Sequence, residues 1–237
     1  MDLDLTLRIE RRDWHDALAG LDARGHARLP DLLTAAECAG LVKLYGRTER
    51  FRSRVIMERH AFGLGEYQYF NYPLPPLVQD LRQAIYPHLA PIARAWAPRI
   101  GLDTRFPDTL DAFLAVCRAA GQSKPTPLLL RYERDGYNCL HQDLYGDVVF
   151  PLQVTILLSR PGRDFSGGEF LLVEQRPRAQ SRGEVVPLGQ GDAVIFATRE
   201  RPVAGRRGTY RAKLRHGVSR VTEGRRFALG IIFHDAA

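Results

Sequence analysis

Cysteine is scarce. The 237 residues hold three, Cys38, Cys117 and Cys139, and no two of them make a CxxC pair. One stays unpaired whatever the others do. A disulfide framework and a zinc ribbon are excluded, and the pattern fits a reducing compartment. Long apolar runs are also missing. None approaches the roughly 18 residues that a membrane-spanning helix needs, so no membrane partner is expected. The first stretch, MDLDLTLRIERRDW, is too charged for a secretory signal, and the expected location is cytoplasmic. There is no internal repeat and no low-complexity tail. Acidic residues are the minority among the charges, 27 against 34 basic ones, which leaves a net charge of +7. Such a surface attracts nucleic acids and small dicarboxylates alike and does not choose between them.

What is present is enough for a sizeable core. Hydrophobic residues make up 45%, and a chain this long buries roughly 70% of its unfolded surface. Residues 1–126 read as a mainly helical region. DWHDALAGLDARG predicts a short amphipathic helix ended by Gly25, and HARLP a short extended piece. Thr34 and Glu37 have the spacing of a capping box, which starts a helix at Thr34. A third helix runs from Pro76 to about Trp96, with Pro87 and Pro91 expected to kink or split it. A fourth covers about Thr109 to Ala120. Between the second and third lies FRSRVIMERHAFGLGEYQYFNYPLPP, expected to mix short strands with a long loop on the substrate side.

From Pro127 the pattern turns to β. PLLLRY, YNCLHQ, LQVTILLS, EFLLVE, GEVVPL, DAVIFA, LRHGVSRV and RFALGIIFH read as strands, separated by turn signals such as SRPGRDFSGG and LGQGD. Eight such strands fit a jelly roll or another β-sandwich. The expected class is α+β with a mainly β core at 127–237, packed with the N-terminal helices as one structural unit.

LHQDLY sets His141 and Asp143 two apart, which in a strand places both on one side. His216, in LRHGVS, supplies a second imidazole. Two histidines and one carboxylate cover one face of an octahedron and leave three positions open, which suits Fe(II). By spacing alone, a core histidine and a zinc hydrolase site remain open as readings.

RYERDGYNCLHQD, SGGEFLLVE, GQGDAVIF and HGVSRVTEGRRFALGIIF follow one another in an order that resembles the 2-oxoglutarate and Fe(II)-dependent oxygenases, with a nearer likeness to the prolyl-4-hydroxylase-like branch. The resemblance spans about residues 127–234, with a weaker echo in GHARLPDLLTAAECAGL. It implies a double-stranded β-helix, with His141, Asp143 and His216 as the iron ligands. It also implies Arg226 as the residue that grips the distal carboxylate of 2-oxoglutarate. Strand alternation sends Arg225 to the other face and puts Ala228, Gly230 and Ile232 with Arg226. Tyr132 matches a strand tyrosine that helps to hold 2-oxoglutarate. Tyr137 and Thr155 are further candidates for the cofactor side, with Gln153 sharing the face of Thr155 and Asn138 as the competitor to Tyr137. The implied reaction uses Fe(II), 2-oxoglutarate and O2, releases succinate and CO2, and hydroxylates carbon through an Fe(IV)-oxo species. Halogenation is not expected, because Asp143 is present.

The resemblance points first to a peptide, protein side chain or small molecule as substrate. Arg54, His60, Tyr67 and Tyr69 are the substrate-side candidates, with Arg52, Arg59 and Tyr72 beside them. The basic run from Arg199 to Arg226 sustains an alternative, oxidative demethylation or repair of nucleic acid. A non-catalytic jelly-roll binding module is the remaining alternative. His15, His26, His88 and His234 read as structural or surface residues.

Overall fold

The computed structural model describes residues 4–205 and 208–237. Arg206 and Arg207, part of the basic run, lie outside the described residues. The α-helices among the described residues are α1 (Leu5–Glu10), α2 (Trp14–Arg24), α3 (Ala35–Leu44), α4 (Pro76–Ile100) and α5 (Leu110–Ala119). The strands before residue 127 are β1 (His26–Leu29), β2 (Phe51–Ile56), β3 (Gly63–Leu64) and β4 (Glu66–Phe70). Those after it are β5 (Leu128–Tyr132), β6 (Tyr137–His141), β7 (Leu152–Leu157), β8 (Phe165–Gly167), β9 (Phe170–Gln175) and β10 (Arg182–Val186). Then come β11 (Ala193–Ala197), β12 (Glu200–Gly205), β13 (Gly208–Val218), β14 (Val221–Gly224) and β15 (Arg226–Ile232). Among the described residues, no helix is long and apolar enough to cross a membrane.

The helix signals act as the sequence predicts. Thr34 Oγ1 accepts from the Glu37 amide at 3.2 Å, and the Glu37 carboxylate accepts from the Thr34 amide at 2.7 Å, so α3 starts with a closed capping box. Gly25 ends α2 in the left-handed region at φ 80°. The prolines of α4 do not divide it. The helix runs unbroken through Pro87, Pro91 and Pro98, although each removes one backbone hydrogen bond. Leu81, Ile85, Leu89, Ala93 and Trp96 are buried along it in the main core, and this packing outweighs the local penalty.

Seven strands form the larger sheet in the order β1-β11-β7-β15-β5-β4-β2. The smaller sheet has the order β10-β9-β13-β6-β3, with β12 also paired to β13, and β14 pairs with β8. This is the double-stranded β-helix architecture, with the helices flanking the larger sheet. Alternation gives each central strand two jobs. Val154 and Ile156 of β7, Leu229 and Ile231 of β15 and Ile195 of β11 join the helices in the main core. Gln153, Thr155, Ala228, Gly230 and Ile232, on the opposite face, line the cavity between the sheets.

Residues before 127 supply strands at both edges of the larger sheet. β4 pairs with β5, β2 pairs with β4, and β1 pairs with β11. The segment expected to hold a long loop is therefore mostly a β2–β4 hairpin. At the other edge Gly191 lets the chain pass close to the start of α3. Its φ is +84°, and a Cβ there would sit 2.1 Å from the Leu33 carbonyl oxygen, which only glycine avoids.

One part of the basic run is structural. The Arg201 guanidinium is buried, pairs with Glu174 at 2.7 Å and donates to the Asp22 and Ala23 carbonyls, tying β12 to α2. Of the other histidines, His88 stacks on Trp14 at 4.2 Å and His26 lies 3.4 Å from Glu184. His234 is fully buried, and its Nδ1 accepts from the Phe150 amide at 3.2 Å. Burial, then the charge of Arg82, brings its pKa down to about 3. Between pH 6.5 and 3 the unfolded chain binds a proton that the folded one refuses. Stability is therefore complete above pH 6.5 and falls as pH drops, by up to about 1.4 kcal/mol per pH unit. Urea titrations at pH 6.5 and 4.5 should show this loss. His234→Asn should flatten it by one proton's worth, and an unchanged slope in that variant would contradict the assignment.

Candidate active site

β6 and β13 bring the histidines together. They pair antiparallel with His141 opposite His216, and the ring centroids lie 4.1 Å apart. Asp143 reaches the same place by another route than strand alternation. β6 ends at His141, so Asp143 lies in irregular chain beyond it. Its Oδ2 is 3.3 Å from His216 Nε2, and its Oδ1 is 3.6 Å from His141 Nε2. One donor atom from each residue fits within 4.8 Å of the others. His141 Nδ1 donates to the Cys139 carbonyl at 2.8 Å, which leaves the Nε2 lone pair for a metal. Phe196 and Phe170 flank the His216 ring at 4.7 and 6.0 Å.

The charge states suit ligation. Burial, then the neighbouring His216, lowers the pKa of His141 and keeps it neutral. Burial alone would raise Asp143, but its hydrogen bond with His216, the electrostatic pull of the two neighbouring imidazoles and the Tyr145 hydroxyl hold it well below the usual carboxylate range. A neutral imidazole and an ionised carboxylate are the forms that bind a cation.

The triad opens on a cavity of about 320 Å³ between the sheets. Arg226, the first residue of β15, also lines it and is only 1% exposed. Its guanidinium carbon lies 5.7 Å from the Tyr132 ring centre and 5.9 Å from that of Phe165. Among the described residues its Nε has no hydrogen-bond partner, and neither has the buried Nε2 of Gln153 on the same cavity. Burial lowers the pKa of Arg226, and no carboxylate pairs with it among the described residues. A buried cationic fork without an anion fits a ligand carboxylate. These orphaned donors and the three-donor face are what Fe(II) and a dicarboxylate need.

Tyr132, Thr155 and Tyr67 are on the cavity wall, as are Gln153 and Asn138. Asn138 Nδ2 donates to the Tyr132 hydroxyl at 3.2 Å. Arg225 is exposed, and Arg226 takes the inward face with Ala228, Gly230 and Ile232. Other candidates are not brought onto the wall. Tyr137, 42% exposed, points away on the face opposite Asn138. Arg54 pairs with Glu66 across β2 and β4. His60 stacks on Phe62 at 5.3 Å, and it is Phe62 that lines the cavity. Tyr69 is buried behind the wall and reaches the triad through Tyr145. Arg52 lies over the Tyr69 ring, and Tyr72 is bound to Arg82 and Asp235. Tyr145 and Phe62 were not among the expected residues. Tyr145 stands two residues past Asp143 in LHQDLY, but nothing in the sequence shows how that loop turns.

A family model described as "Oxygenase, catalysing oxidative methylation of damaged DNA" matches residues 65–236. The uncharacterised protein Rv2227 of Mycobacterium tuberculosis is 54% identical over 168 residues, covering 71% of this chain and 72% of that protein. Among solved structures, a Trichoplax adhaerens prolyl hydroxylase in complex with a hypoxia inducible factor peptide fragment superposes with a TM-score of 0.59 at 13% identity, covering 99% of this chain and 94% of that one. A Burkholderia pseudomallei oxidoreductase of the 2OG-Fe(II) oxygenase family gives 0.57 at 17%, covering 96% and 93%. A Pseudomonas putida prolyl-4-hydroxylase gives 0.53 at 14%, covering 94% and 100%. The structural likeness is one of fold, and the family match spans both the triad and Arg226. The chain belongs to this oxygenase family.

Proposed function

We propose that this oxygenase uses Fe(II) and 2-oxoglutarate to oxidise an alkyl group on a nucleic-acid base. The observation that carries the chemistry is the His141–Asp143–His216 donor set beside the unpartnered Arg226 in one cavity. His141, Asp143 and His216 hold the iron. Arg226 takes the distal carboxylate of 2-oxoglutarate, with the Tyr132 hydroxyl and Thr155 beside it. When bound, iron and 2-oxoglutarate supply hydroxylation of a C–H bond by O2, with release of succinate and CO2. The protein orients the two reactants and keeps the buried end of the cavity closed to bulk water. An N-methyl group hydroxylated in this way leaves as formaldehyde and restores the base.

The substrate half rests on the family description. The prolyl-hydroxylase likeness, which favours a peptide or small molecule on sequence alone, is a likeness of fold at low identity and does not carry a substrate. Two features support a nucleic acid. Arg211, Lys213 and Arg215 are exposed on β13, on the face opposite His216, and Arg199 is exposed just before β12, a basic surface to which phosphates are attracted. Phe62, 46% exposed on the cavity wall and backed by His60, offers a flat ring on which a base can stack. An N-methylated single-stranded oligonucleotide should stimulate succinate release by the Fe(II)-loaded protein, while the unmethylated strand should not. Stimulation by a proline-rich peptide and by neither strand would overturn the substrate assignment.

A further inference from the structure

Strand geometry does not hold the carboxylate of the triad. His141 and His216 are fixed by the β6–β13 ladder, but Asp143 lies past the end of β6. The loop that carries it is fixed by contacts outside the strand ladder instead. Gln142 Nε2 donates to the Arg199 carbonyl at 3.0 Å and to the Leu214 carbonyl at 2.7 Å. The Ala237 amide donates to the Tyr145 carbonyl at 3.2 Å. Gly146, at φ +149°, passes so close to Gln122 that a Cβ would lie 2.4 Å from its Cδ. Tyr145 is the tether that touches the carboxylate itself. Its hydroxyl donates to Asp143 Oδ1 at 2.6 Å. The Tyr69 hydroxyl in turn donates to the Tyr145 oxygen at 2.9 Å, so the Tyr145 proton is committed to Asp143. The Tyr69 and Tyr145 rings meet edge to face at 5.9 Å, and Tyr69 is fixed from its other side by the Arg52 guanidinium 4.6 Å above its ring.

We infer that Tyr145 is the positioning residue of the carboxylate ligand, with Tyr69 locking it: the phenol occupies Oδ1 and leaves Oδ2 as the oxygen presented to the metal. This rests on the reading of His141, Asp143 and His216 as the iron triad. A free carboxylate on a loop can turn about its Cβ–Cγ bond and swing its oxygens off the metal position. A hydrogen bond on one oxygen stops that rotation and holds the other oxygen toward the metal.

The test is anaerobic calorimetric titration with Fe(II) of the wild-type protein, Tyr145→Phe, Tyr69→Phe and the double variant. Tyr145→Phe removes only the hydroxyl and is expected to weaken Fe(II) binding by about tenfold to 100-fold, with the metal-free melting temperature retained. Tyr69→Phe should weaken binding less. The double variant should match Tyr145→Phe alone, because Tyr69 acts through Tyr145. With Co(II) as probe, Tyr145→Phe should also change the visible absorption bands, which report ligand number and which a purely structural role would not move. Unchanged Fe(II) affinity in Tyr145→Phe would overturn the inference while leaving the triad standing. Failure of the wild-type protein to bind Fe(II) would instead sink the triad reading. Should Tyr145→Phe not fold, Tyr69→Phe decides: weaker binding supports the inference and unchanged binding overturns it.

Discussion

Replacing Arg226 with methionine should raise the KM for 2-oxoglutarate by about 30-fold or more while leaving the metal-free, cofactor-free protein at least as stable as before. The two halves have one cause. Truncating one partner of a buried charge pair costs about 2–5 kcal/mol of binding, and each 1.4 kcal/mol is a factor of ten. In the free protein Arg226 is a buried guanidinium whose Nε is unpartnered, and removing an uncompensated buried charge does not destabilise a fold. Arg226→Lys should recover only part of the affinity, because an ammonium cannot offer the two parallel donors of a guanidinium. Steady-state kinetics with varied 2-oxoglutarate, paired with thermal melts, checks both. A large fall in melting temperature with an unchanged KM would assign Arg226 to the core instead.

The opposite sign is expected at Arg82, where the buried charge is paired. Its Nη2 donates to Asp235 Oδ1 and to the Phe233 carbonyl, each at 2.8 Å, its Nε to the Ile232 carbonyl at 3.0 Å and its Nη1 to the Tyr72 hydroxyl at 2.9 Å. Tyr72 also donates to Asp235 Oδ2 at 2.9 Å. Both charged side chains are almost fully buried. Arg82→Met would strand the Asp235 carboxylate, at a cost of about 3–5 kcal/mol. For a chain of this size that lowers Tm by roughly 6–20 °C. Arg82→Met with Asp235→Leu should recover part of the loss, since two apolar groups leave no charge unpaired. A drop of less than about 2 °C in the single variant would contradict the account. The pair also bears on the site, because Gln122 holds the Asp235 carbonyl at 2.6 Å and the Val148 carbonyl at 3.0 Å, close to the loop that carries Asp143.

These two arginines show what the sequence makes legible. Arg226 can be read because strand alternation gives it a definite face, and the same rule turns Arg225 outward. The β core from 127 onward can be read for the same reason, since its strands are apolar runs cut by turn residues. Arg82 cannot be read, because its partner Asp235 is distant in sequence and lies past the end of β15. Asp143 was legible as a ligand by residue type, but its placement comes from a loop held by Gln142, Tyr145 and Gln122 rather than from the strand pleat. The β2–β4 hairpin hides in a segment of arginines, aromatics and glycines whose alternation is weak, so Arg54 and His60 fall outside a cavity wall that Phe62 and Tyr67 form. In the basic run, Arg201 pairs with Glu174 inside the fold, and Arg226 pairs with no carboxylate among the described residues.

The most direct test of the site is succinate formation from 2-oxoglutarate by Fe(II)-loaded wild-type protein and by Asp143→Ala, with a methylated single-stranded oligonucleotide present. The account predicts iron-dependent succinate with matching formaldehyde in the wild type and loss of both in Asp143→Ala. Equal succinate from the two proteins would contradict it.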